Sequence, residues 1–186
     1  VRCGEAIGLT WRDVDFRNQE ISINHQLIYK KSAGKYGFYA DSPKTDSGVR
    51  IIPMTHEVYR ALADQREKQL AKGWRTTIEI EGYRDFVFST KNGNPVMPGA
   101  VNNALLNIVN SYNRIRGDRI AMPHISAHNL RHTGCTRMSE AGVDPKVLQY
   151  IMGHSRIAVT MEVYNHVSSE RNRKEMDKLE KIRLIG

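Results

Sequence analysis

The sequence predicts an α+β fold, mostly helical, with a small three-stranded antiparallel sheet. Two observations carry that expectation. In the first quarter, short apolar runs (Ile21, Ile23, Leu27 and Tyr29; Phe38-Tyr39-Ala40; Val49 to Pro53) alternate and are separated by polar turns bearing Gly and Pro, the pattern of half-buried strands. From Thr55 the apolar period lengthens to that of helices, and the only extended run left is Phe86-Val87-Phe88. Strands first and helices after them point to segregated α+β layers.

In chain order, residues 2–9 read as the end of a helix with Ala6, Ile7 and Leu9 on its apolar side. Because the chain opens in helical rhythm and without methionine, the expectation is a piece of something longer that lacks the start of this helix. Trp11 to Phe16 reads as a turn. The first strand runs from Ile21 to Tyr29, with a break in phase at His25-Gln26. Lys30 to Gly37 is a polar connection, and Pro43-Lys44-Thr45-Asp46-Ser47-Gly48 is the turn between the second and third strands. Thr55 caps the next helix, whose apolar residues are Val58, Leu62, Ala63 and Leu70. Further helices are predicted at about 98–116, 126–141, 144–152 and 156–164. Gly142 stops one of them, and Asp144-Pro145 starts the next as cap and first-turn proline. The predicted domain division is 1–167 for the main domain and 168–186 for a charged helical tail with a thin stripe of Met176, Leu179 and Ile182.

Composition narrows the class of partner. The net charge of +8 and pI near 9.6 suit a polyanion. No uncharged apolar run is long enough to span a membrane, and no signal-peptide pattern is found. Cys3 and Cys135 have neither metal-ligand nor disulfide-framework spacing, so a reduced, cytoplasmic protein is expected.

The chemistry-bearing residues gather in the last third. His128 and Arg131, three apart on one predicted helix, share a face. A guanidinium fork beside an imidazole suits an anionic oxygen. Met152-Gly153-His154 is a glycine-hinged turn carrying a histidine, followed by a short helix ending at Tyr164. Tyrosine, with a pKa of about 10, is a poor nucleophile until cations stabilise its phenolate. Each residue also has a plainer reading: Tyr164 as a half-buried helix aromatic, His154 as turn filling, Lys44 as a solvated turn lysine. Arg2 and Glu5 read locally as a surface ion pair worth about 0.2–0.5 kcal/mol. A rival constellation is His124, His128 and His132 at intervals of four, which could hold a structural zinc. The hydrolase version fails because Asn129 stands where H-E-x-x-H needs glutamate.

Taken in order, the motifs Arg2-x-x-Glu5, Leu9-x-Trp11-x-Asp13, Pro43-Lys44-Thr45, Arg50-Ile51-Ile52-Pro53, His128-x-x-Arg131-His132, Met152-Gly153-His154-Ser155, Thr160 and Tyr164 resemble the catalytic domain of tyrosine recombinases, the phage integrase family. Their wording is most similar to integrases of phages and conjugative transposons of Gram-positive bacteria, and the resemblance covers nearly the whole chain. It implies that Arg2 and Arg131 clamp the scissile phosphate with His128 beside them. It further implies that His154 donates to a non-bridging oxygen, Lys44 serves the leaving 5′ oxygen, and Tyr164 attacks phosphorus to give a 3′-phosphotyrosyl link. The implied function is site-specific integration and excision of a mobile element, without metal or other cofactor. The implied partners are double-stranded DNA attachment sites, a homotetramer on that DNA and a directionality factor, at the bacterial nucleoid. A Xer-like resolvase, a type IB topoisomerase-like enzyme, or a DNA-binding and oligomerising fragment inactive alone are the alternatives. The tail is expected either to pack on a neighbouring protomer or to be loosely held against its own, and the Lys44 turn is expected to be mobile or displaced from the other five residues when DNA is absent.

Overall fold

A computed structural model describes residues 1–42, 46–73, 78–116, 121–164 and Met176. Its described helices are α1 (Cys3–Gly8), α2 (His56–Ala71), α3 (Pro98–Arg116), α4 (Ala127–Glu140), α5 (Pro145–Met152) and α6 (Ile157–Tyr164). The strands are β1 (Val14–Asp15), β2 (Glu20–Ile23), β3 (Gln26–Ser32), β4 (Lys35–Asp41) and β5 (Arg50–Pro53). The α+β class is as predicted, but the strands divide differently. One sheet runs β1-β2-β5, all antiparallel, and β3-β4 is a separate two-stranded hairpin.

The physical reason lies at the phase break. The expected first strand is two strands, because His25 turns inward between them. Its Nε2 lies 2.7 Å from the Gly8 carbonyl, and its ring stacks on Tyr83 at 3.7 Å. The polar stretch read as a connection, Lys30 to Gly37, is instead the hairpin's far end, turned by Ala33 and Gly34 at φ 48° and 82°. Trp11–Asp13 is a 3-10 turn, closed where Asp13 accepts from the Thr10 amide at 2.9 Å and hydroxyl at 2.6 Å.

Among the described residues apolar burial falls into three clusters rather than one. Leu9, Val14, Ile23, Met54, Leu62 and Val87 pack the three-stranded sheet against α2. Ile7, Leu27 and Phe86 pack α1 against the hairpin and the extended link. Cys135, Leu148, Met152 and Tyr164 join α4, α5 and α6. In α2 the predicted stripe is only partly right: Leu62 is buried, but Val58 and Leu70 are exposed. The second inward residue is Gln69, whose Nε2 donates to the Val87 carbonyl at 2.8 Å and whose Oε1 accepts from Trp11 Nε1 at 2.7 Å. A buried polar side chain is tolerated there because its amide is satisfied on both sides.

Helix ends follow their sequence signals. Ser126 accepts from the Asn129 amide at the start of α4. Asp144 accepts from the Lys146 amide at 2.8 Å and the Val147 amide at 3.2 Å, with Pro145 in the first turn of α5. At its other end α5 closes on Gly153 in the left-handed region (φ 63°), which lets the His154 amide donate back to the Gln149 carbonyl at 3.1 Å.

Candidate active site

The end of α5 is where the arginines meet. The last carbonyls of a helix have no partner inside it and carry its negative partial charge. Here Arg50 Nε donates to the Ile151 carbonyl (2.9 Å), Arg131 Nη2 to the Met152 carbonyl, and Arg2 Nη2 to the Gly153 carbonyl (3.0 Å). Three consecutive carbonyls thus each receive a guanidinium, one from β5, one from α4 and one from the residue capping α1. The next residue is His154, whose Nδ1 lies 3.0 Å from Thr160 Oγ1 on α6.

One carboxylate balances part of this charge. Glu5, buried beneath α1, receives Arg50 Nη2 at 2.9 Å, Arg50 Nη1 at 3.2 Å and Arg2 Nη1 at 2.9 Å. Burial pushes its carboxyl upward, but the Arg50 and Arg2 contacts outweigh this and hold it at about 2. The Arg2–Glu5 pair is therefore not the marginal surface pair that local spacing suggests.

Burial and the neighbouring guanidinium groups act together on the titration of Arg131 and His154. Burial and then the field of Arg2 push Arg131 down to about 10, which leaves it charged at neutral pH. Burial, followed by Arg131, Arg2 and Arg50, pushes His154 down to about 4, which leaves it neutral. Arg131 Nη1 is buried and has no hydrogen-bond partner among the described residues. Beside it lies a pocket of about 400 Å³ lined by His128, Arg131, His132, Cys135, His154 and Glu162.

Of the six predicted site residues, Arg2, Arg131 and His154 meet around the 152–154 turn, and His128 faces the same pocket from α4. Tyr164 is buried one helical turn beyond Thr160. Its hydroxyl donates to the Val143 carbonyl, so its oxygen is engaged outside the cationic cluster. Lys44 lies outside the described residues, as do the predicted tail residues Leu179 and Ile182. The zinc alternative loses its helix: His124 precedes the Ser126 cap, so only His128 and His132 share α4. Among the described residues no group of three or more metal-ligating side chains is placed to hold an ion.

The phage integrase family profile matches residues 1–171. The chain belongs to the phage integrase family. It is 38% identical over 185 residues to the transposase from transposon Tn916 of Enterococcus faecalis, covering 97% of this chain and 43% of that protein. The integrase of Staphylococcus phage L54a is 28% identical over 183 residues, covering 98% of this chain and 49% of the relative. Among solved structures, the Tn1549 transposon integrase in complex with circular intermediate DNA superposes with a TM-score of 0.83 at 39% identity, covering 96% of this chain and 56% of that one. The chain thus spans about half the length of the relatives it matches.

Sequence reasoning gave no role to two members of this integrase-family site, Arg50 and Glu5. A signal for Arg50 was present. In the strand Arg50-Ile51-Ile52-Pro53, Arg50 shares its phase with Ile52, the inward residue, and an arginine on an inward phase demands a carboxylate. Nothing local in the sequence says that the carboxylate is Glu5, 45 residues earlier.

Proposed function

We propose that this chain is the catalytic domain, residues 1–167, of a site-specific DNA recombinase that integrates and excises a mobile element. In this reading residues 168–186 form a helical tail that either packs on a neighbouring protomer or is held loosely against its own. The observation that carries the reading is the buried Nη1 of Arg131, without a hydrogen-bond partner among the described residues, at the edge of a pocket that His128 and His154 also line. A desolvated cation with a free donor is costly unless an anion completes it, and a phosphodiester is an anion of the right shape for a guanidinium fork.

In the reaction, Tyr164 Oη bonds to phosphorus as the bond to the 5′ oxygen breaks, and the phenolic proton passes to water. Lys44 supplies a proton to the departing oxygen. Arg2, Arg131, His128 and neutral His154 donate to the non-bridging oxygens, where charge accumulates. The 3′-phosphotyrosyl link keeps the energy of the broken bond, so attack by a 5′ hydroxyl reseals DNA and returns the tyrosine without a nucleotide cofactor. The phenol must first leave the Val143 carbonyl and turn toward the pocket. The partners in this reading are attachment-site DNA, three further copies of the chain and a directionality factor, in the cytoplasm at the nucleoid. Among the described residues no helix is long and apolar enough to cross a membrane.

The test is covalent capture. The full-length protein should form an SDS-resistant adduct with a nicked suicide duplex, unaffected by EDTA and absent in Tyr164→Phe. In the same assay, sulfur at the bridging 5′ position, a leaving group that needs no proton, should restore cleavage by Lys44→Ala. An adduct that survives in Tyr164→Phe moves the nucleophile elsewhere. Tyr150, exposed and with its oxygen accepting from the Ile51 amide at 3.1 Å, is then the next tyrosine to test.

A further inference from the structure

Arg50 is the buried member of the arginine set, and it cannot touch a substrate. Its side chain is fully buried, and Nε, Nη1 and Nη2 all have partners. Those partners lie on separate parts of the fold: the Ile151 carbonyl at the end of α5, the Gly48 carbonyl before β5 (2.9 Å), and both Glu5 oxygens on α1. It also closes against Gly153, where a Cβ would lie 2.8 Å from Arg50 Nη1 and 2.9 Å from Cζ. Gly153 accepts from Arg2, and its neighbour Met152 accepts from Arg131.

We propose that Arg50 is a positioning residue for the phosphate clamp. It fixes the 151–153 carbonyls and the Glu5 carboxylate that together aim Arg2 and Arg131 at one phosphate. The inference rests on the reading that Arg2 and Arg131 hold the scissile phosphate. The mechanism is geometric. A guanidinium presents five donors in a fixed planar fork spread over three nitrogens, whereas an ammonium has three rotating donors on one nitrogen at the end of a flexible stem. With Arg50 in place, the turn carrying Met152, Gly153 and His154 is locked to β5, and Glu5 is locked against the Arg2 fork. Without it, both clamp arginines keep their charge but lose their shared aim, and small misplacements of groups at a reacting centre are expensive in rate.

The experiment uses the full-length protein and two suicide duplexes, one with a normal scissile phosphodiester and one with a methylphosphonate. The methyl group replaces a non-bridging oxygen, so less charge develops for arginines to stabilise. Cleavage rates at saturating DNA are measured for wild type, Arg2→Ala, Arg131→Ala, Arg50→Met and Arg50→Lys. On the phosphodiester, Arg131→Ala and Arg50→Met should each fall by roughly 10²–10³-fold, the usual loss for one preorganised donor. On the methylphosphonate the deficits of Arg2→Ala, Arg131→Ala and both Arg50 variants should all shrink about tenfold or more relative to wild type. An Arg50 deficit of equal size on both substrates, with Arg2 and Arg131 deficits shrinking, makes Arg50 a fold residue only and overturns the inference. If no arginine variant recovers, the clamp reading itself fails and takes this inference with it. If Arg50→Met does not fold, Arg50→Lys decides, since it keeps a cation against Glu5. Wild-type cleavage by a folded Arg50→Lys overturns the proposal.

Discussion

Burial, and then the guanidinium groups of Arg131, Arg2 and Arg50, displace His154 toward neutrality. With its pKa at about 4, it is a neutral imidazole in the free protein, with Nδ1 on Thr160 and the residue lining the pocket. An arriving phosphate opposes the cations that depress it, so its pKa should rise in the DNA complex. In the free protein, NMR titration of the His154 ring should give a midpoint near 4, and in the complex the midpoint should move up by at least one unit. Between the two midpoints the complex holds more protons than the free protein, so DNA affinity should strengthen as pH falls through that window. A midpoint unmoved by DNA would remove His154 from the phosphate. The same shift acts on folding with its own sign. The unfolded chain binds the proton near pH 6.5 and the native site only near 4, so this histidine lowers stability progressively as pH falls from 6.5 to 4.

At the scale of the element, the turn after α5 can be separated into its two constraints. Gly142 and Gly153 both sit at positive φ, 82° and 63°. A Cβ on Gly142 meets nothing within 4 Å, whereas on Gly153 it meets the Arg50 guanidinium. Gly142→Ala should therefore cost only the left-handed backbone strain, about 1–2 kcal/mol. Gly153→Ala should cost that amount and a further 1 kcal/mol or more, because a buried ion-paired side chain must shift. Chemical denaturation of both variants checks this, and equal losses would mean that Arg50 yields freely. These elements were also the most legible ones in the sequence. Gly142, Asp144-Pro145 and Ser126 act over four or five residues, so caps and stops are written locally. The sheet was less legible, because the break at His25 shows only as a slip in alternation, and its cause, the Gly8 carbonyl and the Tyr83 ring, is distant in the chain.

Across the described residues, two apolar clusters serve the sheets, α1 and α2, a third serves α4, α5 and α6, and hydrogen bonds from Arg50 to the Ile151 carbonyl, from Arg2 to the Gly153 carbonyl and from the Ile51 amide to Tyr150 cross between the two regions, with Glu5 holding both arginines. This explains why the site was legible as a set of residues but not as an arrangement. Family motifs name Arg2, His128, Arg131, His154 and Tyr164, whereas the carbonyls of 151–153 have no side-chain signature, and the Tyr164–Val143 contact depends on how α6 packs. The tie can be tested through Glu5, the carboxylate shared by two of its arginines. Its folded value of about 2 lies below its ordinary value of 4.5, so it stabilises the fold fully above about pH 5 and progressively less as pH falls toward 2. The gap in unfolding free energy between the native protein and Glu5→Gln should stay level from pH 7 to 5. It should then narrow toward pH 2 by an amount on the order of 3 kcal/mol, the standard conversion of such a difference. If Glu5 supports the crossing bonds by holding Arg50 and Arg2, Glu5→Gln should also make the unfolding of α1 and β5 separate from that of α4 to α6 in amide exchange at pH 7, as independent cooperative units would. A gap that ignores pH, with a single cooperative unit retained in the variant, would show that apolar packing alone holds the two regions together.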